Sequence, residues 1–127
     1  MDIFLTDPSE IPLPPKEVRI RVLRASIRPD RLQVHVYLEV DPFEQRPNAD
    51  LDILDTTERI ISSASIIESI TRKIEVNLHL RQSVPPGSYT LRATLYYAKL
   101  PEAGEEKTDL QPIERLVVDT ASANIML

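Results

Sequence analysis

Two imidazoles and a carboxylate are the residues of this chain whose type and spacing most suggest chemistry. His35 and His79 both fall at outward positions of segments that alternate apolar and polar residues, with Glu75, Asn77, Gln33 and Tyr37 close to them in sequence. If those two segments are antiparallel neighbours, both rings lie on one outer sheet face, and two imidazoles plus the Glu75 carboxylate form a donor set for zinc. The competing reading is a set of scattered polar residues on a solvated face. Asp50, Asp52 and Asp55 form a second cluster, since carboxylates are calcium ligands and alternation puts Asp50 and Asp52 on one strand face. The glycine and the ligand spacing of a calcium loop are missing, and outward acids on a strand also serve solubility and edge protection. The segment carrying Glu102, Glu105, Glu106 and Asp109 has the same two readings.

Other chemistries are short of parts. Serines and histidines are present, but there is no nucleophile elbow, and two glycines cannot build a glycine-rich oxyanion or phosphate loop. The absence of cysteine excludes disulfides, thiolate catalysis and cysteine metal sites. The expectation is therefore a protein that is not an enzyme and carries no cofactor. Arg19, Arg21, Arg24, Arg28 and Arg31 look basic when read alone, yet alternation sets only Arg19 and Arg21 clearly on one face, where Glu39 and Glu75 could pair with them across strands. Tyr37 alone is no stacking platform for bases. Fifteen basic against twenty acidic residues give a net charge of −5, which repels phosphate backbones and anionic lipid. Nucleic acid and membrane are thus not expected partners.

The elements that position these residues follow from length and periodicity. A chain of 127 residues, 42% hydrophobic and 28% charged, suits one domain with one core. Pro8, Pro12, Pro14 and Pro15 make residues 1–16 an extended arm ahead of a domain at 17–127, and the short Pro-Leu-Pro-Pro run also has the form of an SH3-domain ligand. From Glu17 the period is two. Val18, Ile20 and Val22 alternate with arginines, then the apolar phase slips to Leu23, Ala25 and Ile27, which predicts a bulge near Val22. Leu32, Val34, Val36, Leu38 and Val40 define the second strand, and a third is expected at 49–55. The segment 59–68, rich in isoleucine and serine, reads as an edge strand. Ile74, Val76, Leu78 and Leu80 mark a fifth strand, Tyr89, Leu91, Ala93, Leu95 and Tyr97 a sixth at 88–98, and Leu116 and Val118 a seventh at about 112–119.

Seven such strands are the pattern of an antiparallel β-sandwich. The run Pro86-Gly87-Ser88-Tyr89 resembles the corner leading into the sixth strand of immunoglobulin-like and fibronectin-type-III-like domains. That resemblance spans residues 17–119 and implies an immunoglobulin-like fold in which Tyr89 is a structural corner residue bonding back to the preceding loop. It identifies an architecture and not a specific family, because the cysteine pair and tryptophan of antibody domains are absent. A C2-like or jelly-roll order of the same strands is the open alternative.

The expected function is a non-catalytic protein-interaction or scaffolding module that meets a protein partner, or a second copy of itself, through a sheet face or an edge strand. The favoured face carries Asp52, Arg92, Thr94 and Tyr96, with Phe43 and Leu100 in adjoining loops. The favoured edge is that of 59–68 or of the first strand, with Ile61 and Ile67 among four isoleucines that alternation cannot hide on one face, unless the proline arm covers them. The alternative is a metal- or small-ligand-binding protein using the His35 and His79 face with Glu75. The N-terminus lacks a basic segment followed by an apolar run, and no stretch approaches the roughly 20 apolar residues that span a bilayer, so a cytoplasmic location is expected.

Overall fold

A computed structural model describes residues 11–81, 84–98 and 115–127. Within them lie seven strands: β1 (Ile20–Ile27), β2 (Gln33–Val40), β3 (Asn48–Leu54), β4 (Ile60–Ile66), β5 (Lys73–His79), β6 (Ser88–Ala98) and β7 (Arg115–Met126). They form two sheets of order β1-β2-β5 and β4-β3-β6-β7, with every pairing antiparallel. The chain changes sheets between β2 and β3, between β4 and β5 and between β5 and β6. The architecture is an antiparallel β-sandwich, as the two-residue periodicity requires.

The core lies between the sheets, where the inward residues of each strand meet. Val34, Val36, Leu38 and Val40 of β2 face Leu51 and Ile53 of β3 and Leu91, Ala93 and Leu95 of β6, all essentially inaccessible. Leu78 from β5 and Val18 ahead of β1 join them. The expected slip in β1 is present: the register with β2 shifts between Ile20 and Val22, so Arg21 is the extra residue and Leu23, Ala25 and Ile27 turn toward the core. Val22 is left opposite Glu39.

Local chemistry closes the turns. Asp30 Oδ1 accepts the Leu32 amide at 2.9 Å, and Arg31 sits at a φ of 59°. Between β3 and β4, Asp55 Oδ1 accepts the amides of Thr57 and Arg59, both at 2.9 Å, and Glu58 takes the left-handed position at a φ of 65°. Three backbone and side-chain donors of that hairpin are thereby satisfied around one carboxylate, which titrates below its usual range because of the Thr57 hydroxyl and the Arg59 amide.

Two expectations need correction. The last strand extends through Met126 rather than stopping near Asp119, and its core residues are Val118, Ile125 and Leu127, whereas Leu116 is 39% exposed. The register between β6 and β7 shifts at Leu95 and Tyr96, leaving Val118 as a bulge. Leu32, expected inward with its β2 neighbours, is 44% exposed in the turn. In the arm, Leu13 bridges Phe43 through backbone bonds to Pro42 and Glu44, both 3.0 Å, and a single 3-10 turn occupies Pro15–Glu17. Residues 1–10 of the arm lie outside the described residues.

Candidate functional site

On the outer face of the three-stranded sheet, β2 and β5 are neighbours, and the pairing opposes His35 to Asn77, Tyr37 to Glu75 and Gln33 to His79. His35 is drawn into a local network: Nδ1 is 3.0 Å from Asn77 Oδ1 and Nε2 is 3.6 Å from Glu75 Oε1. The register brings His35 and Glu75 together but puts His79 one row away, diagonal to His35. Among the described residues no three of His, Asp and Glu converge into a metal-holding group. Next along the sheet, the Tyr37 hydroxyl donates to Glu39 Oε1 at 2.7 Å and Arg24 lies over the Tyr37 ring. That hydrogen bond raises the phenol's pKa and lowers that of Glu39. Arg21 pairs with Asp41, which also accepts the Arg19 amide at 3.0 Å, and not with the expected Glu39 or Glu75, because the bulge shifts the arginine toward the end of β2.

The outer face of the four-stranded sheet is a denser network. Asp52 opposes Arg92 and pairs with it at 3.2 Å. Asp50 accepts from Arg115 at 2.6 Å, from Ser65 Oγ at 2.8 Å and from the Tyr96 hydroxyl at 3.4 Å. Burial works against ionising Asp50, but the Ser65 and Arg115 hydrogen bonds and the Arg115 charge outweigh it and hold the carboxyl below its usual range. Arg115 also stacks on the Tyr96 ring, 4.3 Å from its centre, a cation–π contact that seals the tyrosine to 5% exposure. Tyr96 is therefore covered by its own sheet. Phe43 is half-buried against the core beside Leu13. Of the face expected to meet a partner, Arg92 stays the most open, its side chain 39% exposed, while Asp52 is largely shielded. Arg115, central to this face, was not legible as such, because it starts a strand that the pattern places only approximately. Leu100 and the acids Glu102, Glu105, Glu106 and Asp109 lie outside the described residues.

The edges divide more sharply than the faces. Edge strands β1, β5 and β7 carry charges, with Arg21 and Arg24, Lys73 and Glu75, and Arg115 and Asp119 respectively. Strand β4 carries none. Ala49, Leu51 and Ile53 of β3 draw Ile66, Ala64 and Ser62 inward as their cross-strand partners, and a bulge at Ile61 lets that side chain also reach the core. The remaining isoleucines stay out, Ile60 at 52% and Ile67 at 66% exposure, with Ile70 just beyond at 76%. At the Ile60 end, a groove of about 520 Å³ opens between Asp55, Arg59, Ile60, Leu80, Val84 and Tyr89. The described part of the proline arm runs at Phe43 and does not cover β4.

The Tyr89 hydroxyl donates to the Pro85 carbonyl at 2.6 Å, four residues back across the corner into β6. That bond and the two-sheet strand order lead to the comparison with known proteins. The fold is shared with part of a glycosidase. The β-glucuronidase of Bifidobacterium dentium, solved with coumarin-3-O-glucuronide, superposes with a TM-score of 0.51 at 17% identity, over 87% of this chain and 18% of the enzyme. Two structures of the β-glucuronidase of Ruminococcus gnavus match 89% of this chain at 10% and 11% identity, with TM-scores of 0.43 and 0.42. The chain spans less than a fifth of the enzymes it resembles, 18% and 16% of their lengths, and the likeness is one of fold. No protein family matches the sequence, and neither does any curated protein. Among the described residues no helix is long and apolar enough to cross a membrane.

Proposed function

We propose that the chain is a non-catalytic, cytoplasmic interaction module of immunoglobulin-like or fibronectin-type-III-like kind, which meets other protein chains through the backbone of β4. The observation that carries this reading is the contrast among edges: of the four edge strands among the described residues, only β4 has no charged residue, and exposed isoleucines stand at both of its ends. A sheet edge presents unpaired amides and carbonyls, and native proteins normally blunt it with charge, proline or a covering element. An extended segment of a partner would add to the sheet there, its backbone supplying affinity and Ile60 and Ile67 supplying apolar contact. The kinship is supported by the Tyr89 corner and the strand order. The opposite reading, catalysis, has less to draw on: the polar groups of both outer faces pair with one another, Asp50 with Arg115 and Asp52 with Arg92 above all.

The test is site-directed photocrosslinking. A photoreactive residue at Ser63, exposed in the middle of β4, is expected to trap protein partners in an extract of the source cell, and the trap should fail in an Ile67→Lys background. The same probe at Glu75, on the other sheet, should trap far less. Equal capture from both positions would remove β4 as the contact edge.

A further inference from the structure

We propose that the partner of the β4 edge is a second copy of the same chain, paired antiparallel about a two-fold axis through Ala64 to give one continuous eight-stranded sheet across the dimer. This rests on the reading of β4 as the contact edge and adds the identity of the occupant.

The pleat restricts the register. Directly opposed residues of an antiparallel pair share a face, so a two-fold axis between identical strands passes through a residue position and not between two. The uncharged run Ile60 to Ile67 has its midpoint between Ser63 and Ala64, which leaves those two positions as centres that pair the run with itself. With the bulge at Ile61 counted, an axis through Ser63 sets Ile66 of one copy opposite Arg59 of the other, an apolar side chain against a cation at both ends. An axis through Ala64 avoids this. It opposes Ala64 to Ala64, Ser63 to Ser65 and Ser62 to Ile66, residues that share faces in the monomer, where 63 and 65 are exposed and 62, 64 and 66 face the core side.

The ends then complement one another. The Ala64 register brings Ile67 of one copy opposite the bulged pair Ile60 and Ile61 of the other, so exposed Ile60 and Ile67, which the monomer leaves in water at opposite ends of β4, meet at both ends of the interface. It also brings Glu68 of one copy, just past the end of β4, to the level of Arg59 of the other, an acid and a base at each end. Small residues occupy the centre where two backbones must approach. A partner of unrelated sequence has no reason to match this near-palindrome; a second copy does so by symmetry.

The experiment is sedimentation equilibrium on the intact chain and on Arg59→Glu, Glu68→Arg and the double swap, with circular dichroism melts confirming that each variant folds. The intact chain should dimerise, each single swap should raise the dimer dissociation constant about tenfold by placing like charges at both ends, and the double swap should restore it. Amide exchange in residues 62–66 should slow with rising protein concentration, while that in β1 should not. A chain that stays monomeric at about 1 mM, the concentration of a contact worth only some 4 kcal/mol, overturns self-pairing and leaves β4 open to a different protein. A dimer indifferent to the swaps and to Ile67→Lys overturns both the self-pairing and β4 as the contact edge.

Discussion

Tyr89 and Asp50 show how single side chains tie this sandwich together. The Tyr89 ring is buried and its hydroxyl fastens the loop before β6 by one bond to Pro85. Tyr89→Phe keeps the ring and loses the bond, so denaturant unfolding should show a loss of about 1 kcal/mol. Asp50 gathers Arg115, Ser65 and Tyr96, and its pKa is lowered in the folded chain. A carboxylate depressed on folding contributes stability that is present above its unfolded pKa of about 3.9 and is lost as pH falls through the folded value. The melting temperature should therefore drop on acidification below about pH 4, and the drop should be shallower in Arg115→Ala, where the main favourable partner is gone. His35 leads to a third expectation. With Asn77 and Glu75 on its two ring nitrogens and His79 a row away, added zinc should leave the melting temperature unchanged. A saturable rise that disappears in His35→Ala would revive the metal-binding alternative.

Among the strands, legibility followed the strength of the alternation. β2 and β6 bury every second residue in continuous contact with the other sheet and β5 follows the same alternation, so their apolar phases were plain, and Val36, Leu78 and Leu91 are 1%, 1% and 0% exposed. Truncating any of these to alanine should cost about 2 to 4 kcal/mol, measurable as a shift of the denaturation midpoint. The bulge at Arg21 was also readable, since an extra residue reverses the phase of everything after it. The second half of β7 was not. Thr120, Ala121, Ser122, Ala123 and Asn124 hold no large apolar side chain, and what keeps them extended is eleven residues of pairing with β6, a partner that only the fold supplies. The packing of the candidate contact face was hidden for a related reason. Sequence put Tyr96 on the outside but could not place Arg115 over its ring, because that contact depends on the register of β7 on β6, which alternation alone does not set.

For the molecule as a whole, the two sheets are joined at both flanks by polar bonds as well as by the core. On one flank Ser62 Oγ donates to the His79 carbonyl at 2.7 Å, linking β4 to β5; on the other, Asp119 Oδ2 accepts the Ile20 amide at 2.9 Å, linking β7 to β1. Asp119→Ala leaves that amide to water or without a partner, and a loss of about 1 to 2 kcal/mol in chemical denaturation is expected. Deleting residues 120–127 removes buried Ile125 and Leu127 and strips β6 of most of its outer partner, so the shortened chain should show no cooperative melt.

The Asp119 bond joins residues 99 positions apart, and this fixes when the protein can fold in the cell. A ribosome adds about 5 to 20 residues each second, so β1 emerges several seconds before the strand that latches its edge has been made. Until then the nascent chain exposes the inward valines and isoleucines of its earlier strands to water, and non-local pairing of this kind is slow even once every strand is available. Folding must wait for β7. Chaperones that hold exposed apolar strands should accordingly engage this chain during synthesis and let it go only once β7 has been made.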